Sequence, residues 1–212
     1  MHYSASDYRR MGRDSLKDCW GVALISLLIN AAITGILSST GIGTIIVAGP
    51  LAVGLATVFL AISRYRQASY ETVFAGFKTN FVENLVANLL AGIFVFLWSL
   101  LLIIPGIIKA YAYYMVPYIL ADNPQMKAMD AIRESQRIMD GHKMDLFLLH
   151  LSFIGWMLLS FLTCGLLLLY VAPYMQAANA AFYRVLVEGE QSSQTDWQSG
   201  HDFTNPDGNP QA

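Results

Sequence analysis

Apolar and polar residues follow one another along this chain in long blocks. Apolar runs occupy residues 19–38, 44–63, 84–104, 107–121, 145–163 and 166–187. A helix needs about 17–25 residues to cross the hydrocarbon core of a bilayer, and every run except 107–121 is long enough. In that short run, Lys109 lies near the outer end and can snorkel, which makes a short span tolerable. The pattern predicts an all-α fold, a polytopic membrane protein with six transmembrane helices.

Short turns are predicted to pair the six runs into three hairpins. The turns are expected at residues 40–43, at Pro105-Gly106 and at Cys164-Gly165, because glycine and proline mark tight turns. The predicted organisation is an amphipathic cytoplasmic segment at 1–18, a membrane domain at 19–187 with hairpins at 19–63, 84–121 and 145–187, and a disordered cytoplasmic tail at 188–212. The tail is assigned to disorder because it is polar and almost without apolar residues.

Two amphipathic connectors join the hairpins. In the first connector the apolar residues fall at helical spacing, at Tyr70, Val73, Phe74, Phe77 and Phe81, and predict a helix over 69–81.

The second connector is predicted to be a helix capped by Asn123, with Pro124 at its first position and its end at Gly141. Its apolar side is predicted to consist of Met126, Met129, Ile132 and Met139. Its wet side is predicted to carry the i,i+3 pairs Asp130–Arg133 and Glu134–Arg137.

A proline lies inside the second run of each hairpin, at Pro50, Pro117 and Pro173. Proline in a helix interior removes a backbone hydrogen bond and kinks the helix. In lipid the freed carbonyl needs cover from neighbouring helices, so we expect the second, fourth and sixth spans to be inner helices. The order of amphipathic helix, long span, tight turn and proline-containing span occurs three times and indicates an internal repeat.

The distribution of charged residues predicts how the chain is oriented in the membrane, and the net charge argues against one class of partner. The chain is 55% hydrophobic and 13% charged, against about 25% charged in soluble domains. Of its 13 Lys and Arg residues, only Lys109 falls near the face opposite the termini, so both termini are predicted in the cytoplasm. The net charge of −2 and the lack of a long basic run argue against nucleic acid as a partner. Cys19 and Cys164 fall on opposite faces, which predicts no disulfide between them.

Three strings in the second half of the chain resemble a known family. They are IIPGIIKAYAY at 103–113, MVPYILAD at 115–122 and LSFIGW at 151–156. Over about residues 10–187 the chain is similar to a bacterial integral membrane family of unknown function (domain of unknown function 975). That family is distantly similar to the membrane domain of some glycerophosphodiester phosphodiesterases. The resemblance implies a six-span protein of the bacterial cytoplasmic membrane, and it carries over no catalytic residue.

Polar residues inside the predicted spans indicate a candidate cleft. They are Tyr111, Tyr114 and Tyr118 of the fourth span and Tyr170, Tyr174, Gln176 and Asn179 of the sixth. Polar groups at membrane depth usually face the bundle interior, so these residues could hold a lipid headgroup or a substrate. The alternative is that they form interhelical hydrogen bonds that cover the carbonyls freed by proline.

Several charged residues are candidates for contact with anionic lipid. Lys109 could bind a lipid or phosphate at the outer face, or simply anchor its helix by snorkelling. Arg133 and Arg137, together with Arg64, Arg66 and Lys143, could read the anionic cytoplasmic leaflet, or could be ordinary positive-inside charge.

Two further polar features inside the spans are assigned to packing. His150 is a lone histidine, and without a second ligand it is a poor metal candidate. Asn84 and Asn88 could line a path through the bundle, but their i,i+4 spacing is assigned to packing between helices. We therefore predict no metal and no cofactor.

No sequence motif for catalysis is present: the chain has no Gly-x-Ser-x-Gly, no His-Glu-x-x-His and no phosphate loop. The hypothesis is a non-enzymatic membrane protein that binds membrane lipid or another amphiphile, or scaffolds a membrane complex with a protein partner or a second copy. The main alternative is a transporter or channel for a small amphiphile. A phosphodiester hydrolase is a third possibility that rests on family analogy alone.

Overall fold

The structure is a computed structural model that describes residues 4–17, 19–38, 42–65, 67–162, 165 and 167–200. It is all-helical, and no β-strand occurs among these residues. The helices are α1 (Ala5–Leu16), α2 (Trp20–Ser38), α3 (Ile42–Tyr65), α4 (Ala75–Lys78), α5 (Phe81–Leu101), α6 (Ile103–Tyr113), α7 (Val116–Asp122), α8 (Ala128–Ile138), α9 (Lys143–Leu162) and α10 (Leu168–Gly200). A 3₁₀ helix, Tyr70–Phe74, leads directly into α4.

Within the described residues, five helical segments are long and apolar enough to cross a membrane. They are Trp20–Ser38, Ile46–Tyr65, Phe81–Leu101, Ile103–Asp122 and Lys143–Ser160. The predicted sixth span corresponds to the first part of α10, where tyrosine, glutamine and asparagine interrupt the apolar residues. A helix surrounded by other helices needs no continuous apolar surface toward lipid, which explains why α10 lacks one.

The five segments divide sharply by burial. In α3 and in the α6–α7 segment, 61% and 44% of residues are buried, whereas the shares are 11% in α2, 17% in α5 and 22% in α9. In α10, Ala178, Ala180 and Phe182 are fully buried. The α3 and α6–α7 segments and α10 are thus the more buried helices, as the proline positions predict, and α2, α5 and α9 are the less buried ones.

Glycines let the inner helices and the connectors approach to backbone contact. A Cβ on Gly54 would lie 1.8 Å from the Val73 carbonyl oxygen, and one on Gly76 would lie 2.0 Å from that of Pro50. Backbones that close leave no room for any side chain. The first connector therefore packs into the core along α3 instead of resting on the end of the bundle.

The first connector is not one helix over 69–81, as the spacing predicts. The chain leaves helical geometry at Thr79 and Asn80, and Asn80 has a φ of 22°. The Asn84 amide donates hydrogen bonds to the carbonyls of Gly76 (2.8 Å) and Thr79 (3.0 Å). These bonds satisfy backbone groups that a continuous helix would have paired internally, so they stabilise the break.

The predicted start of the second connector is also wrong. Asn123 lies at the end of α7, where its N–H donates to the Ile119 carbonyl, and Pro124 precedes the helix instead of opening it. Helix α8 begins at Ala128, whose N–H donates to the Glu83 carboxylate at 2.7 Å. A carboxylate on a free N–H in the first turn of a helix favours a start at that residue.

The predicted apolar side of α8 is correct except at one position. Ile132 and Met139 are buried and Met126 packs against the core, whereas Met129 is 42% exposed.

The chain turns between α5 and α6 at Leu102 instead of at the predicted Pro105-Gly106. Leu102 is extended, and Pro105 falls in the first turn of α6, where its missing N–H costs no hydrogen bond. The helix then breaks at Tyr114 and Met115, immediately before Pro117. By contrast, α3 and α10 run continuously through Pro50 and Pro173, so the kinks at these two positions stay predictions.

Helix α10 continues to Gly200, through residues 188–200 that the composition assigns to a disordered tail. Extending an existing helix needs no new nucleus, and no proline follows Pro173 before Pro206. The remainder of the predicted tail, at 201–212, lies outside the described residues, as do Arg66, Cys164 and residues 40 and 41 of the first predicted turn. The other two residues of that turn, 42 and 43, belong to α3.

Candidate functional site

A hydrogen-bonded network joins three helical segments at the centre of the bundle. The Asn179 amide donates to the Tyr114 hydroxyl at 2.9 Å, and its oxygen lies 3.1 Å from His150 Nε2. Because that oxygen can only accept, Nε2 carries the proton, and His150 Nδ1 is left to accept from the Tyr111 hydroxyl at 3.4 Å. Each polar group thus finds a partner on another helix.

A second polar contact joins α7 and α10, one turn beyond Tyr114 in the chain. The Tyr118 hydroxyl donates to Gln176 Oε1 at 3.2 Å, and the Tyr118 ring stacks on Tyr183 with centroids 5.7 Å apart. Beyond it, Arg64 of α3 forms a bidentate ion pair with Asp122 at 2.5 and 2.6 Å. This pair ties the end of α3 to the end of α7.

A cavity of about 480 Å³ opens beside this ion pair. Apolar and charged side chains both line it: Arg64, Tyr65, Ile119, Asp122, Asn123, Met126, Glu134, Ile138, Tyr183, Val187 and Glu188. Ligand pockets in proteins have about 300–1,000 Å³ and combine an apolar lining with a few polar groups. The cavity lies within this size range, and apolar and charged side chains share its lining.

The charges at the cavity are paired with charges of opposite sign. Arg137 donates two hydrogen bonds to Glu134, at 2.9 and 2.6 Å, and they hold the pKa of this carboxyl below its ordinary value. Glu188 lies 3.6 Å from the Arg184 guanidinium, which also donates to the Ser63 carbonyl. These groups give the cavity a polar rim without an isolated charge.

Five of the seven predicted cleft residues come together, and two do not. Tyr170 is 49% exposed and its ring packs at a tilt against Trp20 of α2, with centroids 4.8 Å apart. Tyr174 is buried against Phe153, and the Arg13 guanidinium of α1 lies 5.7 Å from its ring. The amphipathic helix α1 thus covers the part of α10 that was expected to line the cleft.

The residues predicted to contact anionic lipid lie in different surroundings. Arg133 and Arg137 pair with Asp130 (3.7 Å) and Glu134 (2.6 Å) on their own helix, as their spacing predicts. Lys109 lies on the α5–α6 hairpin between two aromatic rings.

The two polar features assigned to packing have partners. His150 belongs to the central network, and Asn84 holds the break in the first connector. Asn88 is half-buried. Among the described residues, no group of three or more His, Cys, Asp or Glu side chains could hold a metal ion.

Comparison with known proteins finds one family match, which covers less than half of the chain. Residues 99–190 match the model of a family described as Protein of unknown function (DUF975). No curated protein and no solved structure matches the chain. The matched region contains the whole central network, whereas Arg64 and the first three helices lie outside it.

Sequence reasoning missed two contributors to this region. Tyr183 was not included in the cleft, although it follows Asn179 by four positions and so lies on the same face of α10. The Arg64–Asp122 pair joins residues 58 positions apart, and no local spacing rule can reveal such a contact.

Proposed function

We propose that this chain is a non-enzymatic integral membrane protein that binds lipid or another amphiphile in the cavity between α3, α7, α8 and α10. It lies in the cytoplasmic membrane of a bacterium and has both termini in the cytoplasm. A role as scaffold for a membrane complex, with a protein partner or a second copy, belongs to the same proposal. The family match at residues 99–190 supports a domain of unknown function in this part of the chain.

The membrane part of this proposal is supported by apolar surface that is not covered by protein. Phe96, Leu97 and Leu158 are 60–68% exposed on α5 and α9, within helices whose mean hydropathy is 2.0 and 1.3. Soluble monomers rarely expose apolar surface that is continuous over whole helices. Lipid is the environment that removes the cost of this exposure.

Six spans in three hairpins complete the proposed topology. The sixth is the first part of α10, which the other helices enclose. A short helical segment precedes two long ones at α1–α3 and at α8–α10, and also at α4–α7 when α6 and α7 count as one interrupted segment. This order supports a threefold internal repeat. The wider resemblance over residues 10–187, with its distant link to the membrane domain of phosphodiesterases, belongs to this proposal as well.

The observation that carries the binding function is the mixed lining of the cavity. Ile119, Ile138 and Val187 offer apolar contact for a chain, and Arg64 and Glu134 offer polar contact for a headgroup. Tyr114, Tyr118, Gln176 and Asn179 are not among the residues that line the cavity, and their polar groups bond to one another in pairs inside the bundle.

Native mass spectrometry of the purified protein tests this function, with a defined mixture of phosphatidylethanolamine and phosphatidylglycerol as the probe. We expect retained lipid in the wild type and clear loss in Met126→Trp, because the larger side chain fills the cavity. Met129→Trp is the matched control, since Met129 is exposed nearby and does not line the cavity. Equal lipid retention in the two variants, or none in the wild type, would contradict the proposal.

Transport of a small amphiphile is the second candidate. The break between α6 and α7 favours it, because broken helices beside polar groups mark the substrate sites of many transporters. Flux of a fluorescent amphiphile across proteoliposomes decides between the two. Wild-type flux above empty liposomes, abolished in Tyr114→Phe, would replace binding by transport.

A further inference from the structure

Helices α5 and α6 carry two charged residues, Glu83 and Lys109, and Lys109 takes no part in the network or the cavity. Lys109 is the only Lys or Arg between Lys78 and Lys127. It lies six positions into α6, which places its Cα about 9 Å from the start of the helix. Its side chain points back toward the hairpin turn, as side chains do on helices.

Aromatic rings surround the Lys109 ammonium. The Trp98 ring centroid lies 5.5 Å from Nζ and that of Tyr113 lies 6.0 Å away. No carboxylate and no hydrogen-bond acceptor of the described residues reaches this ammonium. Rings attract a cation, but they do not satisfy three N–H donors. The site therefore lacks an anionic oxygen acceptor.

The backbone at the hairpin turn limits how deep this site can lie. Leu102 interrupts the helix, and the side chains from Leu100 to Ile104 are apolar and 63–74% exposed. Helix ends leave N–H and C=O groups unpaired, and such groups are not tolerated in hydrocarbon. The turn therefore has to lie among lipid headgroups, with Lys109 immediately below it.

We propose that Lys109, flanked by Trp98 and Tyr113, binds a phosphate oxygen of an anionic lipid at the membrane face opposite the termini. Trp98 is 40% exposed, so a lipid can reach the ammonium from the side of the hairpin. Asp122 follows Lys109 by 13 positions, about 20 Å along the α6–α7 segment, so this site is separate from the cavity. The site rests on the proposed membrane insertion of the hairpin.

Lipid retention by the full chain in detergent tests the site. Native mass spectrometry compares phosphatidylglycerol with phosphatidylcholine, which carries the same phosphate but no net charge. We expect the wild type to prefer phosphatidylglycerol and Lys109→Met to lower that preference about fivefold, the effect of one cation near an anionic surface. Lys109→Arg is expected to keep the preference.

Lys78→Met is the control, because Lys78 is an exposed lysine of the first connector without a carboxylate partner in the described structure. An equal effect of Lys78→Met and Lys109→Met would overturn the site. Displacement of the lipid by millimolar inorganic phosphate would assign the site to free phosphate instead. If the wild type does not float with liposomes, membrane insertion itself fails; if it floats and Lys109→Met binds as the wild type does, only this site fails.

Discussion

Helices α2 and α3 have nearly the same mean hydropathy, 2.0 and 2.2, yet only 11% of α2 is buried against 61% of α3. The difference lies in small residues. A Cβ on Gly49 or Gly54 of α3 would meet the backbone of another segment, whereas one on Gly21 or Gly35 of α2 would meet nothing within 4 Å. Hydropathy therefore predicts that both helices can enter a membrane, and the glycine positions decide which of them faces protein.

The largest expected loss of stability comes from substituting a glycine of α3. Gly54→Ala forces α3 away from the Val73 carbonyl, and we expect a loss of about 3 kcal/mol, about 10 °C in Tm for a chain of this size. Gly92→Ala is the matched control, since Gly92 lies on the outer helix α5 with nothing within 4 Å. Its Tm should stay the same or rise slightly, because alanine favours helix. Thermal unfolding in detergent measures both, and equal losses would contradict the packing difference.

The ion pair at the end of the inner helices should give the next largest effect. The side chains of Arg64 and Asp122 are 27% and 17% exposed, so water screens them incompletely. A double-mutant cycle with Arg64→Met and Asp122→Asn should give a coupling of about 2 kcal/mol.

The outward pair Asp130–Arg133, with side chains 57% and 74% exposed, is the control for that cycle. Its coupling should be below about 0.5 kcal/mol. If the two pairs couple equally, the inner pair is not the clamp between α3 and α7 that its geometry indicates.

Removing a tyrosine hydroxyl from the central network should cost about half as much free energy as the coupling of the inner ion pair. Tyr114→Phe removes the hydroxyl that accepts the Asn179 amide, and we expect a loss of about 1 kcal/mol. Tyr170 is 49% exposed and its ring packs at a tilt against Trp20, so Tyr170→Phe should leave the unfolding free energy within about 0.3 kcal/mol. Chemical unfolding of the two variants measures the difference. The reverse order would mean that the network does not stabilise the bundle.

The smallest expected effect depends on pH. The pKa of Glu134 is lowered by hydrogen bonds from Arg137. A lowered pKa means that the stabilisation is present above the unfolded-state pKa and is lost as the pH falls through the folded-state pKa. Glu134→Gln should therefore lower Tm more at pH 7 than at pH 3, as thermal scans at the two pH values will show. A difference of equal size at both pH values would exclude the ion pair as its cause.

Sequence patterns predicted the parts of this fold that depend on local chemistry. Runs of apolar residues predicted the long helices, and the prolines at 50, 117 and 173 predicted which helices would be inner. Spacing also placed Tyr111, Tyr114 and Tyr118 on one face, because residues three or four positions apart are neighbours on the surface of a helix.

Features that depend on distant contacts could not be predicted in the same way. The break at Asn80 requires the Asn84 amide, and the start of α8 requires Glu83, which is 45 positions from Ala128. Likewise, nothing local indicates that α1 lies on α10 and covers Tyr174. Gly12 permits this contact, because a Cβ there would lie 2.7 Å from the Ala178 nitrogen.

The most direct measurement of the central claim, that the outer helices face lipid, is spin-label accessibility in nanodiscs. Labels at Leu89, Ile93 and Leu97 on α5 lie on exposed positions of an outer helix. We predict high accessibility to molecular oxygen, which dissolves in hydrocarbon, and low accessibility to a water-soluble nickel chelate at all three positions. High accessibility to the chelate at these positions would place α5 in water and contradict the account.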